Sequence, residues 1–200
     1  MRTITVTGQG EARVAPDSAV VRVSAVHAAT GVAEALAGVD SAAAAIAATA
    51  RGFTTPERVR STSLHIGRDH DPIGRPVGFQ ARHSLVIGCP DIAAAGGLVT
   101  ALAEAVGERL EIEGVSLEIA DETTASAAAR EAAYADAVDR ATHLAGLASA
   151  ELGEPQQVTE GGAYAVGPAR QAKGVAMAAA SFQPGETAVS ASVTVTFQLR

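Results

Sequence analysis

The chain has 200 residues, a length that fits one large domain or two small ones. Apolar residues make up 48% of it but aromatic residues only 3%, so alanine supplies much of the apolar surface and a core must form from many small contacts. The net charge is −7, from 15 Lys and Arg against 22 Asp and Glu, with no cluster of cations that would bind phosphate groups. We therefore expect no nucleic-acid partner and no binding to an anionic membrane surface.

The N-terminal residues alternate between polar and apolar side chains from Thr3 onward, which predicts a strand. They lack the basic head and the unbroken apolar run of a signal peptide. No stretch of the sequence reaches the roughly 18 apolar residues that span a bilayer. The single cysteine, Cys89, can form no disulfide within the chain and fits a reducing compartment. These features predict a cytoplasmic protein without membrane insertion.

The order of turn, helix and strand signals predicts the element order ββα-ββα-βα-ββ. Strands are expected near residues 3–7, 19–28, 58–66, 77–87, 115–119, 157–160 and 189–199. Helices are expected over residues 32–51, 90–107 and 121–152, the last being one long helix near the C-terminus. The two strands at 58–66 and 77–87 are expected to form a hairpin with a long polar tip.

Capping residues indicate where the three helices begin. Thr30 is expected to cap the first helix, and Pro90-Asp91 opens the second. Asp121 or Thr123 is expected to cap the long helix.

Glycines indicate where two strands bend or meet another backbone. Gly8 and Gly10 interrupt the first strand and predict a bulge or a close backbone approach. A change of parity predicts a bulge or a strand start near Gly114. On the long helix, Asp136 and Arg140 are four residues apart and are expected to pair on the exposed face.

Together these elements predict an α+β fold of mixed or antiparallel sheets with helices packed on one face, in a single domain over residues 1–200. Two ββα segments of similar length, about 1–52 and 58–107, suggest an internal duplication. Glycine, alanine and proline dominate residues 161–185. This composition predicts a long, mobile loop before the last strand, of a kind that often serves an interface.

Three stretches of the chain, taken in order, resemble the SIMPL-domain family. The resemblance lies in residues 4–12 with Gly8 and Gly10, followed by Pro16-Asp17; in the helical residues 129–145 with Arg130; and in Pro184-Gly185-Glu186 before the last strand. It covers essentially the whole chain.

The resemblance carries expectations about function. The family is similar to bacterial proteins linked to oxidative-stress defence and to a periplasmic immunogenic protein that assembles into a ring-like oligomer, and a eukaryotic member associates with a signalling kinase. It has no established catalytic residues. The resemblance therefore implies a non-enzymatic, stress-associated protein that forms a homo-oligomer or binds a protein partner. Many bacterial relatives are periplasmic, and this sequence departs from them in lacking a signal-peptide pattern.

Four residues around the predicted hairpin are candidate metal ligands: His65, Asp69, His70 and His83. Imidazole and carboxylate groups suit zinc or another transition metal if three or four converge on one point. Asp69 also lies beside a proline- and glycine-containing turn, where aspartate is ordinary, and His65 and His83 could form a simple cross-strand pair. We favour the turn, and a metal- or small-molecule-binding stress protein using the 65–83 hairpin is the alternative function.

Two further motifs favour structural interpretations. Gly8-Gln9-Gly10 resembles the start of a dinucleotide fingerprint, but a proline turn and a second strand follow it where that fingerprint needs a helix. Cys89 precedes Pro90 at a strand end and is expected to be a buried small hydrophobe, with a redox-sensing thiol as the alternative. No serine lies in a nucleophile-elbow pattern. We predict no enzyme and no cofactor.

Overall fold

A computed structural model describes residues 2–166 and 183–200 of the chain. The helices and strands follow one another in the order predicted from the sequence. They are β1 (Thr3–Val14), β2 (Ser18–Ala29), α1 (Val32–Ala50), β3 (Val59–His70), β4 (Pro76–Cys89), α2 (Ile92–Val106), β5 (Leu110–Glu118), α3 (Thr123–Leu147), β6 (Leu152–Val166) and β7 (Thr187–Leu199).

The strands form two antiparallel sheets, with strand orders β1-β7-β6 and β3-β4-β2-β5. The predicted α+β class is therefore confirmed. The chain divides into two compact units. We call them the terminal unit, whose described residues are 2–15, 121–166 and 185–200, and the central unit, residues 16–120 with 183–184. A single domain with duplicated ββα segments stays a prediction, although β1 and β2 lie in different sheets while β3 and β4 are neighbours.

In the terminal unit, β7 lies between β1 and β6, and α3 packs on one face of the three strands. The perfect alternation of β7 places its apolar residues on that face, where Val195 and Phe197 are buried. Helix α3 meets them with alanine at every fourth position, so one stripe of the helix faces the sheet. The buried alanines are Ala125, Ala129, Ala133, Ala137, Ala141 and Ala145.

In the central unit, α1 and α2 pack on one face of the four-stranded sheet. The core is built from branched aliphatic residues, including Ile46 of α1, Leu98 and Leu102 of α2 and Val21 of β2, all fully buried. The pairing of β2 with β5 shifts register between Arg22 and Val23, opposite the segment from Ile112 to Gly114. This confirms the bulge expected near Gly114.

Helix α1 is long and apolar enough to cross a membrane by length and composition alone. It carries Glu34 and Asp40 and contributes six buried residues to the face that packs on the sheet. Because the core helix of a soluble protein passes the same test, α1 is weak evidence for a membrane span.

The helix caps are partly as predicted. Asp91 caps α2, since its Oδ1 accepts the Ala94 N–H at 2.7 Å. The expectation for Thr30 is wrong: α1 begins after Gly31, which makes no side-chain cap, and the Thr30 hydroxyl instead lies 3.4 Å from a Glu34 carboxylate oxygen.

The ends of α3 also differ from prediction. The capping position is Glu122, which makes no side-chain cap, while Asp121 just before it accepts the Thr123 N–H at 2.8 Å. The helix ends at Leu147 and not at residue 152. The reason is Ser149, whose φ of 51° lies in the left-handed region and turns the chain toward β6.

Strand β6 is longer than the short strand predicted at 157–160 and includes the first residues of the predicted 161–185 loop. Glycine at 161 and 162 had indicated the start of a loop, but pairing with β7 continues to Val166 opposite Ala188. Residues 167–182 of the predicted mobile loop lie outside the described residues.

Candidate functional site

The terminal unit contains an unusually close contact between a strand and a helix. A Cβ atom added at Gly8 would lie 2.8 Å from the Ala137 Cβ and would overlap the Ala133 carbonyl oxygen. A Cβ added at Gly10 would overlap the Ala129 carbonyl oxygen. Glycine on β1 and alanine on α3 therefore let the two backbones approach. This confirms the close-approach interpretation of Gly8 and Gly10.

This contact brings an ion pair of α3 to the edge of β1. The predicted pair is present, with Arg140 Nε 2.9 Å from Asp136 Oδ2. The Gln9 backbone N–H donates to Asp136 Oδ2 at 2.8 Å, and Arg140 Nη1 donates to the Thr7 carbonyl oxygen at 3.2 Å. We call Asp136 and Arg140, bonded to these two backbone groups, the edge cap.

The strand geometry shows which side of β1 is capped. Thr7 and Gln9 are two residues apart, so their backbone polar groups point to the same side of the strand. These groups bond to α3 side chains, and β7 lies on the other side of the strand. The edge cap therefore satisfies backbone groups on the outer edge of β1, a role that the sequence prediction of a solvent-exposed pair missed.

The electrostatics of the edge cap favour the ionised carboxylate. The hydrogen bond from the Gln9 backbone N–H lowers the pKa of Asp136, and the hydrogen bond and charge of Arg140 lower it further. Asp136 is therefore charged at neutral pH, and both hydrogen bonds of the cap are charge-assisted.

An open cleft of about 540 Å³ adjoins the edge cap. Its lining residues are Gln9, Gly10, Glu11, Asp136, Arg140, Ser190, Ala191 and Ser192. They offer carboxylate, guanidinium, amide and hydroxyl groups. The cleft is therefore suited to hydrogen bonding along a strand edge.

The predicted metal ligands do not come together. In the pairing of β3 with β4, His65 lies opposite Arg82 and Leu64 lies opposite His83. Paired residues share a face and successive residues alternate, so His65 and His83 are on opposite faces. The expected cross-strand histidine pair is therefore wrong. His83 Nε2 instead lies 2.8 Å from the Ser61 hydroxyl.

The other two candidates lie at the end of the hairpin arm. Asp69 Oδ1 accepts the His70 N–H at 2.9 Å, a local bond of the kind expected near a turn. Within the described residues, no group of three or more His, Cys, Asp or Glu side chains could hold a metal ion. A metal site at His65, Asp69, His70 and His83 stays a prediction that this geometry does not support.

Cys89 is buried at the end of β4, as expected for a small core residue. Burial raises the pKa of its thiol, and the Asp91 carboxylate raises it further, against a smaller opposing effect of Arg58. A raised pKa reduces the thiolate fraction, and the thiolate is the reactive form. This environment disfavours the redox-sensing alternative.

A polar network in the central unit was not predicted. The buried Ser24 hydroxyl donates to Glu113 Oε1 at 2.5 Å and lies 2.8 Å from the Ser84 hydroxyl. Arg82 pairs with Glu111 and lies 3.9 Å from Glu113. The bulge predicted near Gly114 was a sequence signal for this network, because it places Glu113 outside the regular register of β5.

The chain matches a known protein family over almost its whole length. The sequence model of SIMPL, described as a protein of unknown function (DUF541), matches residues 4–197. The chain belongs to the SIMPL family. No curated protein matches the chain. The predicted resemblance is confirmed, and the description of the SIMPL family assigns no activity.

The residues that carried the SIMPL resemblance have structural roles in this chain. Asp17 Oδ1 accepts the Ala120 N–H at 2.7 Å, next to the buried Pro16. Arg130 of α3 pairs with Glu160 of β6 at 2.7 Å. Gly185, after Pro184, has a φ of 56°, which glycine adopts without strain. Together with Gly8 and Gly10, these SIMPL residues build the fold and the edge cap.

Proposed function

We propose that this SIMPL protein is a non-enzymatic assembly or partner-binding protein that uses the tip of the β3–β4 hairpin. The observation that carries the proposal is the exposure of two aliphatic side chains there, Ile73 at 72% and Val77 at 54%. The last pairing between β2 and β4 is Ala29 with Phe79, so the tip extends past β2. Docking of a partner on the tip would remove the apolar area of these two side chains from water.

The tip is ordered by its own hydrogen bonds. Asp71 Oδ1 accepts the backbone N–H groups of Ile73 at 3.1 Å and Arg75 at 2.8 Å. The Gly74 N–H donates to the Asp71 carbonyl oxygen at 2.9 Å. A turn that is ordered before binding loses less conformational freedom when a partner docks. This supports a docking role for Ile73.

The base of the tip is also held. The Arg68 guanidinium lies over the Phe79 ring, 5.8 Å from its centroid. Such a cation–π contact contributes about 0.5–1 kcal/mol at an exposed site. The two arms are therefore tied together below the tip that carries Ile73 and Val77.

Association with a stress response, a cytoplasmic location and the lack of enzymatic activity are parts of the same proposal. The first is supported by the likeness to oxidative-stress-defence proteins, and the second by the single unpaired Cys89, which suits a reducing compartment. The survival under hydrogen peroxide of cells that lack the gene tests the stress association. Cell fractionation tests the cytoplasmic location. Normal peroxide survival would remove the stress association.

Native mass spectrometry of untagged protein, purified without chelator, tests the assembly role. We expect the wild type at a discrete multiple of the chain mass and the Ile73→Ser/Val77→Ser variant as a monomer. Leu147→Ser is the matched control, since Leu147 is also 72% exposed but lies at the end of α3, and it should keep the wild-type mass.

Two results of this experiment would overturn the proposal. One is a wild-type monomer whose hairpin variant changes no partner interaction in a quantitative binding assay. The other is a monomer that carries a stoichiometric metal ion, which would favour the metal-binding alternative at the hairpin.

A further inference from the structure

Strand β1 lies at the edge of its sheet, since within the described residues it pairs with β7 alone. The outer edge of such a strand presents backbone N–H and C=O groups that can pair with another chain. In β1, the edge cap occupies two of these groups, the Gln9 N–H and the Thr7 carbonyl. An ion pair on the exposed face of a helix does not need these two bonds to a strand edge.

We infer that the edge cap keeps β1 from pairing with β1 of a second copy of this chain. The Asp136 carboxylate accepts the Gln9 N–H, as the carbonyl of a neighbouring strand would. The Arg140 guanidinium donates to the Thr7 carbonyl, as the N–H of a neighbouring strand would. Together the two side chains supply one acceptor and one donor to this edge, as two backbone groups of a docked strand would.

A second copy of β1 fits the edge once the cap is removed. In a symmetric antiparallel pair centred on Gly8, Thr7 of each copy lies opposite Gln9 of the other. The Thr7 carbonyl of each copy then accepts the Gln9 N–H of the other, in place of the bonds that Asp136 and Arg140 make now. A second copy of β1 therefore offers this edge the same kinds of hydrogen-bond acceptor and donor as the edge cap.

The charges of β1 are compatible with the same register. Centring on Gly8 places Glu11 opposite Thr5 and Arg13 opposite Thr3, so no like charges face each other. Within one chain, Glu11 and Arg13 already pair at 3.1 Å. No pair of like charges in β1 therefore opposes self-pairing in this register, and the side chains of α3 occupy the edge.

Removing the cap tests the inference directly. Asp136→Ala/Arg140→Ala should produce, at equal concentration, a species of at least twice the wild-type mass by native mass spectrometry and light scattering. The matched control is Arg130→Ala/Glu160→Ala, which removes another ion pair between α3 and the same sheet, at 2.7 Å. The control should keep the wild-type mass.

A third substitution tests where the new contact forms. Gln9→Pro removes the edge N–H, and because that N–H points away from β7, it should leave the β1–β7 ladder intact. Added to the uncapped variant, it should restore the wild-type mass. If the double variant does not fold, Arg140→Ala alone takes its place in the experiment. It keeps the Asp136 acceptor and should give the same heavier species in smaller yield.

The inference is independent of the proposed function of the hairpin. Hairpin substitutions should lower the assembly mass, whereas uncapping β1 should raise it. An uncapped variant that keeps its circular dichroism spectrum and its wild-type mass would overturn the inference. Equal doubling in the Arg130→Ala/Glu160→Ala control would also overturn it, since the effect would then not come from the capped edge.

Discussion

The two units cover their sheets with helices in opposite ways. In the central unit, large side chains such as Ile46 and Leu98 fill the space between helix and sheet. In the terminal unit, alanines of α3 lie directly against Gly8 and Gly10, so the space itself is small. The central core should therefore be most sensitive to lost atoms, and the terminal contact to added ones.

The largest effect is expected from emptying the central core. Ile46→Ala removes a fully buried side chain of α1 and should lower the free energy of unfolding by about 4 kcal/mol through lost burial and a cavity. Urea unfolding, monitored through hydrogen exchange of peptides from the central unit, measures this loss of stability. Leu147→Ala, at an exposed position, should change the stability by less than about 0.5 kcal/mol. Similar losses in both variants would contradict a central core that depends on Ile46.

A smaller loss is expected from a single added methyl group in the terminal unit. Gly8→Ala places a Cβ against the Ala133 carbonyl and Ala137, and the helix must move away, at a cost of about 3 kcal/mol. The effect should appear as faster hydrogen exchange in β1 and α3 peptides. Gly146→Ala is the control, because a Cβ there meets no atom within 4 Å. If Gly8→Ala were neutral, the close contact would not be what holds α3 on β1.

The smallest effect concerns the charge of the edge cap. The folded state lowers the pKa of Asp136, so its stabilising contribution is complete above the unfolded value of 3.8 and is lost as the pH falls through the folded value. Asp136→Asn should therefore be less stable than the wild type at pH 7, and this difference should shrink as the pH falls below 3.8. Urea midpoints across this range measure the difference. A constant difference at all pH values would show that ionisation of Asp136 is not involved.

Local patterns were sufficient to predict most of the elements. The alternation in β7, the Asp91 cap of α2 and the bulge near Gly114 each depend on neighbours within a few residues, and the sequence contains that information. The close approach at Gly8 was predictable for the same reason, since glycine inside a strand often marks a bulge or a place where another backbone comes close.

Long-range relations were not predictable from the same patterns. The spacing of Asp136 and Arg140 identifies a helix pair, but it carries no information about which strand edge lies beside it. With regular pairing between β3 and β4, His65 and His83 would lie on one face. The pairing instead shifts register near Ser61, and local patterns do not reveal that shift. The full length of β6 was missed because pairing with β7 outweighs the weak strand preference of glycine.

The pairing of β1 with β7 has a consequence for synthesis of the chain. Thr3 pairs with Gln198, so the partner strand of β1 is made only after residues 16–120 of the central unit. At roughly 5–20 residues per second, β1 waits about ten to forty seconds for that partner. The strands of the central unit all lie between Ser18 and Glu118. On the ribosome, the central sheet should therefore form first, and the terminal sheet should close only after β7 has emerged.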